Sequence, residues 1–87
     1  MANRNNGWHE GTIGSPIGSK ETKIAHFWVK AYEEGSEFGI DNGRISKLTI
    51  KVDGEVTANY DRGWDIEPNE DDGITLLAYS ILYNEYN

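Results

Sequence analysis

The clearest alternation of apolar and polar residues runs from Glu21 to Tyr32, and it predicts a β-strand. Side chains of a strand point alternately to its two faces, so this segment presents two rows. Both rows contain apolar residues: Ala25, Phe27, Val29 and Ala31 in one row, and Ile24, His26, Trp28 and Tyr32 in the other. We therefore expect a central strand that is covered on both faces.

The residues before this strand alternate less clearly. Residues 7–13 predict a short strand, and the glycine, serine and proline residues of 14–19 predict a loop. The polar residues 1–6 predict a disordered segment.

A turn over residues 33–36 and a short strand over 38–40 are predicted next. The dipeptide Asn42-Gly43 then predicts a hairpin, because both central residues of a type I′ turn need positive φ. This register places Asp41 opposite Arg44, which pairs unlike charges across the two strands.

The segments 44–51 and 55–60 predict a second hairpin. A two-residue loop would set Ile50 opposite Thr57, which mixes an apolar with a polar residue. A three-residue loop with Gly54 in the left-handed conformation sets Ile50 opposite Val56 instead. The sequence therefore favours the longer loop, a type I turn with a bulge.

The last part of the chain predicts a helix. Residues 61–67 are expected to leave the sheet, and Asn69 is the predicted N-cap, with the acids of 70–72 in the first turn. An apolar stripe at helical spacing follows, with other apolar residues beside it: Ile74, Leu77, Ala78 and Ile81, then Leu76, Tyr79, Leu82, Tyr83 and Tyr86.

These elements predict an α+β fold: a small antiparallel β-sheet of about four to five strands in a meander, with one C-terminal α-helix packed on one face. We expect a single domain over residues 1–87.

Composition and charge exclude several classes of protein and of binding site. The chain has no cysteine, which excludes disulfides and thiolate metal sites. It has no apolar run of membrane-spanning length and no apolar signal core near residue 1, so we expect a cytoplasmic protein that does not enter a membrane. The formal net charge of −7 disfavours direct binding to nucleic acid, whose backbone is also negative. We expect a monomer or a small homo-oligomer.

The acidity lies in one half of the chain. Residues 1–52 hold six acids and seven bases, whereas residues 53–87 hold nine acids and one base, Arg62. Such an asymmetry either keeps a small domain soluble or meets a basic partner.

No pattern meets the requirements of catalysis. The loop from Gly14 to Lys20 lacks the spacing of a phosphate-binding loop, and the acids after Glu67 lack the glycine and glutamate positions of a calcium loop. His9 and His26 are too few for a zinc site by themselves. We expect no enzyme activity, no catalytic residue, no metal and no cofactor.

The segment from Tyr60 to Asp65 is the most unusual one, because its arginine lies between two aspartates and beside a tryptophan. It is compatible with a pocket for an anionic or planar ligand. The interpretation that we favour is a structural corner, in which Asp61 or Asp65 neutralises Arg62 and Trp64 fills the core under the helix.

The candidate binding residues form two sets. The first contains the acids of the C-terminal half and the residues of this segment: Asp61, Arg62, Trp64, Asp65, Glu67, Glu70, Asp71 and Asp72. The alternative set is a small-ligand site made of Arg44, Lys47, Arg62 and Trp64.

Residues 34–48 (EGSEFGIDNGRISKL) and 59–68 (NYDRGWDIEP) resemble a family of small uncharacterised proteins from phages and mobile elements of Gram-positive bacteria. The two blocks cover about a third of the chain. The family has no established activity, so the resemblance implies a phage setting and assigns no residue a role.

Three functions follow as hypotheses. The first is a non-enzymatic counter-defence inhibitor, similar to anti-CRISPR proteins, which binds a host protein through its acidic half. That partner would be a defence effector with a basic cleft for nucleic acid. The alternatives are a protein that sequesters a nucleotide-type ligand and a phage structural or regulatory accessory protein that self-associates through a strand edge.

Overall fold

The computed structural model describes residues 7–17 and 21–87. It contains one antiparallel five-stranded sheet in the order β1-β2-β3-β4-β5 and one C-terminal helix. The elements are β1 (Trp8–Ile17), β2 (Glu21–Ala31), β3 (Ile45–Val52), β4 (Glu55–Asp61), β5 (Trp64–Ile66) and α1 (Gly73–Tyr86). The predicted α+β class, meander order and terminal helix are confirmed.

The first hairpin is longer than predicted. Strand β1 continues to Ile17 and pairs with β2 from Trp8↔Lys30 to Ile17↔Glu21. The predicted loop over 14–19 is therefore wrong for residues 14–17, and its last two residues lie outside those described. The predicted disordered segment 1–6 also lies outside them.

The core lies between one face of the sheet and α1. From the sheet it takes Ala25, Phe27, Val29, Ile45, Leu48, Ile50, Val52, Ala58 and Tyr60. The helix adds Ile74, Ala78 and Leu82, which repeat every four residues and so lie on one face of α1. We call the sheet face that packs against α1 the helix face, and the opposite one the open face.

The predicted apolar stripe of α1 is partly wrong. Ile74 and Ala78 are buried, but Leu77 and Ile81 are 37% and 41% exposed, and Leu82 takes their place in the core. Apolar residues surround most of the helix, so their spacing alone does not define the face that packs.

The segment between β2 and β3 contains no strand. Ile40–Asn42 forms a short 3-10 turn in place of the strand expected over 38–40. The positive φ angles fall on Asp41 (52°) and Asn42 (60°), while Gly43 is extended. The tight turn is thus shifted by one residue from Asn42-Gly43, and Asp41 bonds to the Tyr83 hydroxyl rather than facing Arg44.

The β3–β4 hairpin has a two-residue loop. Asp53 and Gly54 both have positive φ, 54° and 80°, as a type I′ turn requires. Val52 pairs with Glu55 and Ile50 pairs with Ala58. The loop therefore has two residues, and the predicted three-residue loop is wrong. The bulge lies inside β4 instead, where Thr57 is an extra residue between Val56 and Ala58.

Residues 61–67 do not all leave the sheet, because Trp64–Ile66 pairs with β4 as the edge strand β5. The helix then begins later than predicted. Its N-cap is Asp72, whose side chain accepts from the Thr75 N–H at 3.3 Å. The side chain of Asn69, the predicted N-cap, instead accepts from the Asp71 N–H at 2.8 Å, in the turn before α1.

Candidate functional site

Trp64 belongs to a row of aromatic rings on the helix face. Its ring meets Tyr60 edge-on at 5.0 Å between centroids and Tyr79 at 5.5 Å. Tyr79 in turn meets Tyr83 at 5.9 Å. Trp64 is half-buried against the core, as the structural-corner interpretation expects, because α1 lies over this side of the sheet.

Arg62 is not neutralised as that interpretation expected. It lies in the left-handed region at φ 64°, and its guanidinium is 5.1 Å from the Phe38 ring centroid. Asp61 pairs with Lys47 at 3.8 Å, and Asp65 accepts from the Asn59 amide at 3.1 Å. Among the side chains of residues 7–14 and 23–87, no carboxylate lies within 4.0 Å of the Arg62 side chain.

The alternative ligand site is not assembled. Lys47 lies in the row of the open face that joins it to Lys30 and Asp61. Trp64 is on the helix face, so the sheet separates it from Lys47. Arg44 lines a different depression, beside Tyr32 and Tyr86.

The acidic candidates lie in two places. Asp61 and Arg62 are at the end of the sheet where β4 finishes, and Asp72 is beside Thr57 near the start of β4. Asp61 lies four residues after Thr57 in β4, so these places are about 13 Å apart along the strand. The first candidate set is therefore not one site.

The structure brings acids from two separate segments together at the N-terminal end of α1. Asp53, Glu55, Asp71 and Asp72 line one depression of about 370 Å³ with Lys23. Lys23 pairs with Asp53 at 3.5 Å. We call these four acids, together with Glu67 and Glu70, which precede Asp71 in the sequence, the acidic end.

Two acids of this group have structural partners. The carboxylate of Asp72 lies 2.7 Å from the Thr75 hydroxyl as well as capping α1, and Asp53 holds the β3–β4 turn. Glu55, Glu67, Glu70 and Asp71 are exposed. These four carboxylates are the part of the acidic end that is free to meet a partner.

Two tyrosines of the aromatic row have raised pKa values. Burial raises the pKa of Tyr79 to about 12, with a smaller contribution from the charge of Asp41. For Tyr83, the hydrogen bond to Asp41 is the main cause of a raised pKa. Both phenols therefore stay neutral and act as packing groups.

The open face was missed by the sequence reasoning, which expected it to be covered. No described element packs on it. Three aromatic residues and three lysines lie there: Trp8, Trp28, Tyr32, Lys30, Lys47 and Lys51. Trp8 and Tyr32 are 37% and 50% exposed, and Ile24 is 55% exposed. The sequence contains a signal that this face is uncovered: in the β2 row that lies on it, Lys30 and His26 interrupt the apolar residues.

The histidines are on opposite faces. His9 stacks on Tyr86 of α1 at 4.4 Å, whereas His26 stacks on Trp28 at 4.3 Å and hydrogen-bonds Glu10 at 3.1 Å. Within the described ranges, no group of three or more potential ligands is arranged to hold a metal ion. None of the helices described there combines the length and apolar character needed to cross a membrane.

Comparison with known proteins gives one match. The family model described as "Domain of unknown function (DUF7678)" matches residues 7–87. No curated protein and no solved structure matches the chain significantly. The chain belongs to this family of unknown function.

Proposed function

We propose that this member of the family is a non-enzymatic binding protein, which binds a basic surface of a host protein through its acidic end. The observation that carries the proposal is the convergence of two acidic pairs, Asp53 with Glu55 and Asp71 with Asp72, beside a single lysine, Lys23. Carboxylates gathered at one place attract a basic surface more strongly than the same charges spread over the domain.

The setting we propose is the cytoplasm of a bacterial host of a phage or mobile element. The resemblance of residues 34–48 and 59–68 to proteins from such elements supports it. In that setting the partner is a defence effector with a basic cleft for nucleic acid, and the domain acts as a counter-defence inhibitor. An acidic surface complements such a cleft because it presents the same sign of charge as a phosphate backbone.

Charge reversal at the acidic end tests this proposal. The variant carries Glu55→Lys, Glu67→Lys, Glu70→Lys and Asp71→Lys; all four side chains are exposed, and Asp72 is left intact because it caps α1. The partner is captured from host lysate, identified by mass spectrometry and purified, and its Kd is measured by calorimetry. We expect binding at least tenfold weaker, a loss of about 1.4 kcal/mol.

A matched control distinguishes the effect of reversing charges at the acidic end from the effect of the changed net charge. It carries Glu33→Lys, Glu34→Lys, Glu37→Lys and Glu85→Lys, which are also exposed and whose reversal gives the same net charge. Three of these lie in the β2–β3 connection, at the other end of the sheet. Equal losses in the two variants, or binding that does not weaken with salt, would contradict the proposal.

A second candidate function has one observation in its favour. Strand β1 is ten residues long, and no described strand pairs with its outer edge. Such an edge can pair with another chain, as expected of a phage accessory protein that self-associates. Light scattering at high protein concentration tests this alternative, and a strict monomer would eliminate it.

A further inference from the structure

The open face differs in chemistry from the rest of this acidic chain. Strand register places Trp8, Lys30 and Lys47 in one row across β1, β2 and β3. Trp28 lies in the next row, two residues along β2 from Lys30, and Lys51 follows in the row of His26. From these positions we infer that the open face binds single-stranded nucleic acid, with aromatic rings stacking on bases and lysines contacting phosphates.

The rings and the ammonium groups are interleaved. Lys30 Nζ lies 5.8 Å from the Trp8 ring centroid and 5.4 Å from that of Tyr32. Trp8 and Trp28 line one depression of about 430 Å³ with His9 and Glu10. A strand of nucleic acid presents flat bases and charged phosphates in alternation, and this face offers a counterpart for each.

The open face carries three lysines and three carboxylates, so it is much less acidic than the whole chain, whose net charge is −7. Each of these carboxylates has a partner: Asp61 pairs with Lys47, Glu10 pairs with His26, and Asp65 accepts from the Asn59 amide. Among the described residues, no carboxylate lies within 4.0 Å of Lys30 or Lys51. The hydrogen bond and charge of Lys30 also lower the pKa of Tyr32. The sequence analysis disfavoured nucleic-acid binding because of the net charge of the whole chain. The acidic end contributes much of that negative charge.

The polarity of the face favours nucleic acid over a second protein layer. Thr49 and Asn59 occupy the row of Trp28 and hydrogen-bond each other at 2.8 Å. A sheet that packs stably on another protein layer presents a nearly continuous apolar surface, which this face lacks. An acidic peptide would engage the lysines but would leave the stacking surfaces of Trp8 and Tyr32 without a planar partner.

Fluorescence anisotropy with a labelled 12-nucleotide oligo-dT or oligo-U tests the inference at 50 mM salt. The logarithm of affinity should fall with the logarithm of salt concentration with a slope of about −2, since three lysines each displace counterions. Trp8→Ala combined with Tyr32→Ala, and separately Lys30→Gln with Lys47→Gln and Lys51→Gln, should each weaken binding about tenfold or more. Circular dichroism verifies that each variant is folded. The two variants test the aromatic rings and the lysines separately.

Matched controls lie on the other side of the molecule. Lys23→Gln removes a lysine that pairs with Asp53, and Leu76→Ala removes an exposed apolar side chain of α1. Both should bind the oligonucleotide like the parent chain. The acidic-end reversals are kept out of this experiment, so its failure is distinguishable from failure of the proposed function.

Three results would overturn the inference. The first is no binding of either oligonucleotide at 50 mM salt. The second is competition by poly-glutamate equal to that by the oligonucleotide, which would identify an acidic protein segment as the ligand. The third is a dimer in sedimentation velocity that the Lys30→Gln set dissociates, which would identify a second copy of the chain on this face.

Discussion

The side-chain oxygen of Asn87 accepts a hydrogen bond from the backbone N–H of Ile45 at 2.9 Å, although 42 residues separate the two in sequence. The amide of Asn87 donates to the Ile40 carbonyl at 3.0 Å. A Cβ atom on Gly43 would collide with the side-chain amide of Asn87, so a larger residue at this position would displace Asn87 from these hydrogen bonds. Asn87 therefore fixes the 40–43 turn and the start of β3 against the end of α1.

Replacing Asn87 tests this relationship. Asn87→Ala should lower the free energy of unfolding by about 2 kcal/mol, because two partly buried backbone groups lose their partners. Urea denaturation followed by tryptophan fluorescence measures the change. Asn84→Ala removes an exposed asparagine of α1 and should change stability by less than about 0.5 kcal/mol. Equal effects of the two substitutions would show that the Asn87 bonds do not stabilise the fold.

Trp64 and Arg62 distinguish a structural corner from a ligand pocket. Trp64→Ala should lower the free energy of unfolding by roughly 3 kcal/mol, since the ring packs between Tyr60 and Tyr79. Arg62→Ala should cost no more than about 1 kcal/mol, because its contact with Phe38 is exposed. Thermal and urea unfolding measure both, and a small effect at Trp64 would contradict the corner.

The N-cap of α1 gives a direct test of where the helix begins. Asp72→Ala should cost about 1 kcal/mol, the usual effect of losing a capping carboxylate. Asn69→Ala should cost less than half as much, because its bond to the Asp71 N–H is exposed and precedes the helix. Denaturation of both variants decides between the two caps, and the reverse order would restore the cap predicted from sequence.

Tyr79 predicts loss of stability at high pH. Burial raises its pKa in the folded state to about 12, above the ordinary value of 10.0. Between these values the unfolded chain loses the phenolic proton first, so stability is fully present below pH 10.0 and decreases as the pH rises toward about 12. Unfolding measured from pH 9 to about 12 should show a smaller decrease for Tyr79→Phe than for the parent chain.

Tyr32→Phe is the control for this titration. Lys30 lowers the pKa of Tyr32, so its ionisation at high pH favours the folded state. Removing that phenol should leave the alkaline decrease as large as in the parent chain, or larger. A decrease that Tyr32→Phe abolishes and Tyr79→Phe preserves would contradict the assignment.

The period-two pattern predicted the strands well and their surroundings poorly. Alternation from Glu21 to Tyr32 identifies β2, but it also suggested that Trp28 would be covered. Alternation shows which side chains share a face and not what packs on that face. With a single helix for two faces, one row of β2 stays uncovered by any described element.

The β3–β4 register depended on a tertiary contact. Matching apolar residues across the strands argued against placing Ile50 opposite Thr57, and the hairpin alone gives no reason for a bulge. In the fold, the Thr57 hydroxyl lies 2.7 Å from the hydroxyl of Thr75, a completely buried residue of α1. The bulge thus places a polar residue of β4 against the helix, a contact that no local pattern contains.

The charge pattern identified only some residues of the acidic end, because the fold brings the others to it. The acids of 67–72 are conspicuous in sequence, whereas Asp53 and Glu55 read only as turn and strand residues. The β3–β4 turn brings these two beside Asp71 at the N-terminal end of α1. Asp61 and Arg62, adjacent to the acidic segment in sequence, lie at the other end of β4.

The most direct test of the central claim is the affinity of the purified partner for two variants of equal net charge. Each carries four reversals, at Glu55, Glu67, Glu70 and Asp71 in one variant and at Glu33, Glu34, Glu37 and Glu85 in the other. The proposal predicts that the first variant binds at least tenfold more weakly than the parent chain and that the second stays within about threefold of it. Equal losses in both variants would show that net charge, and not the acidic end, determines binding.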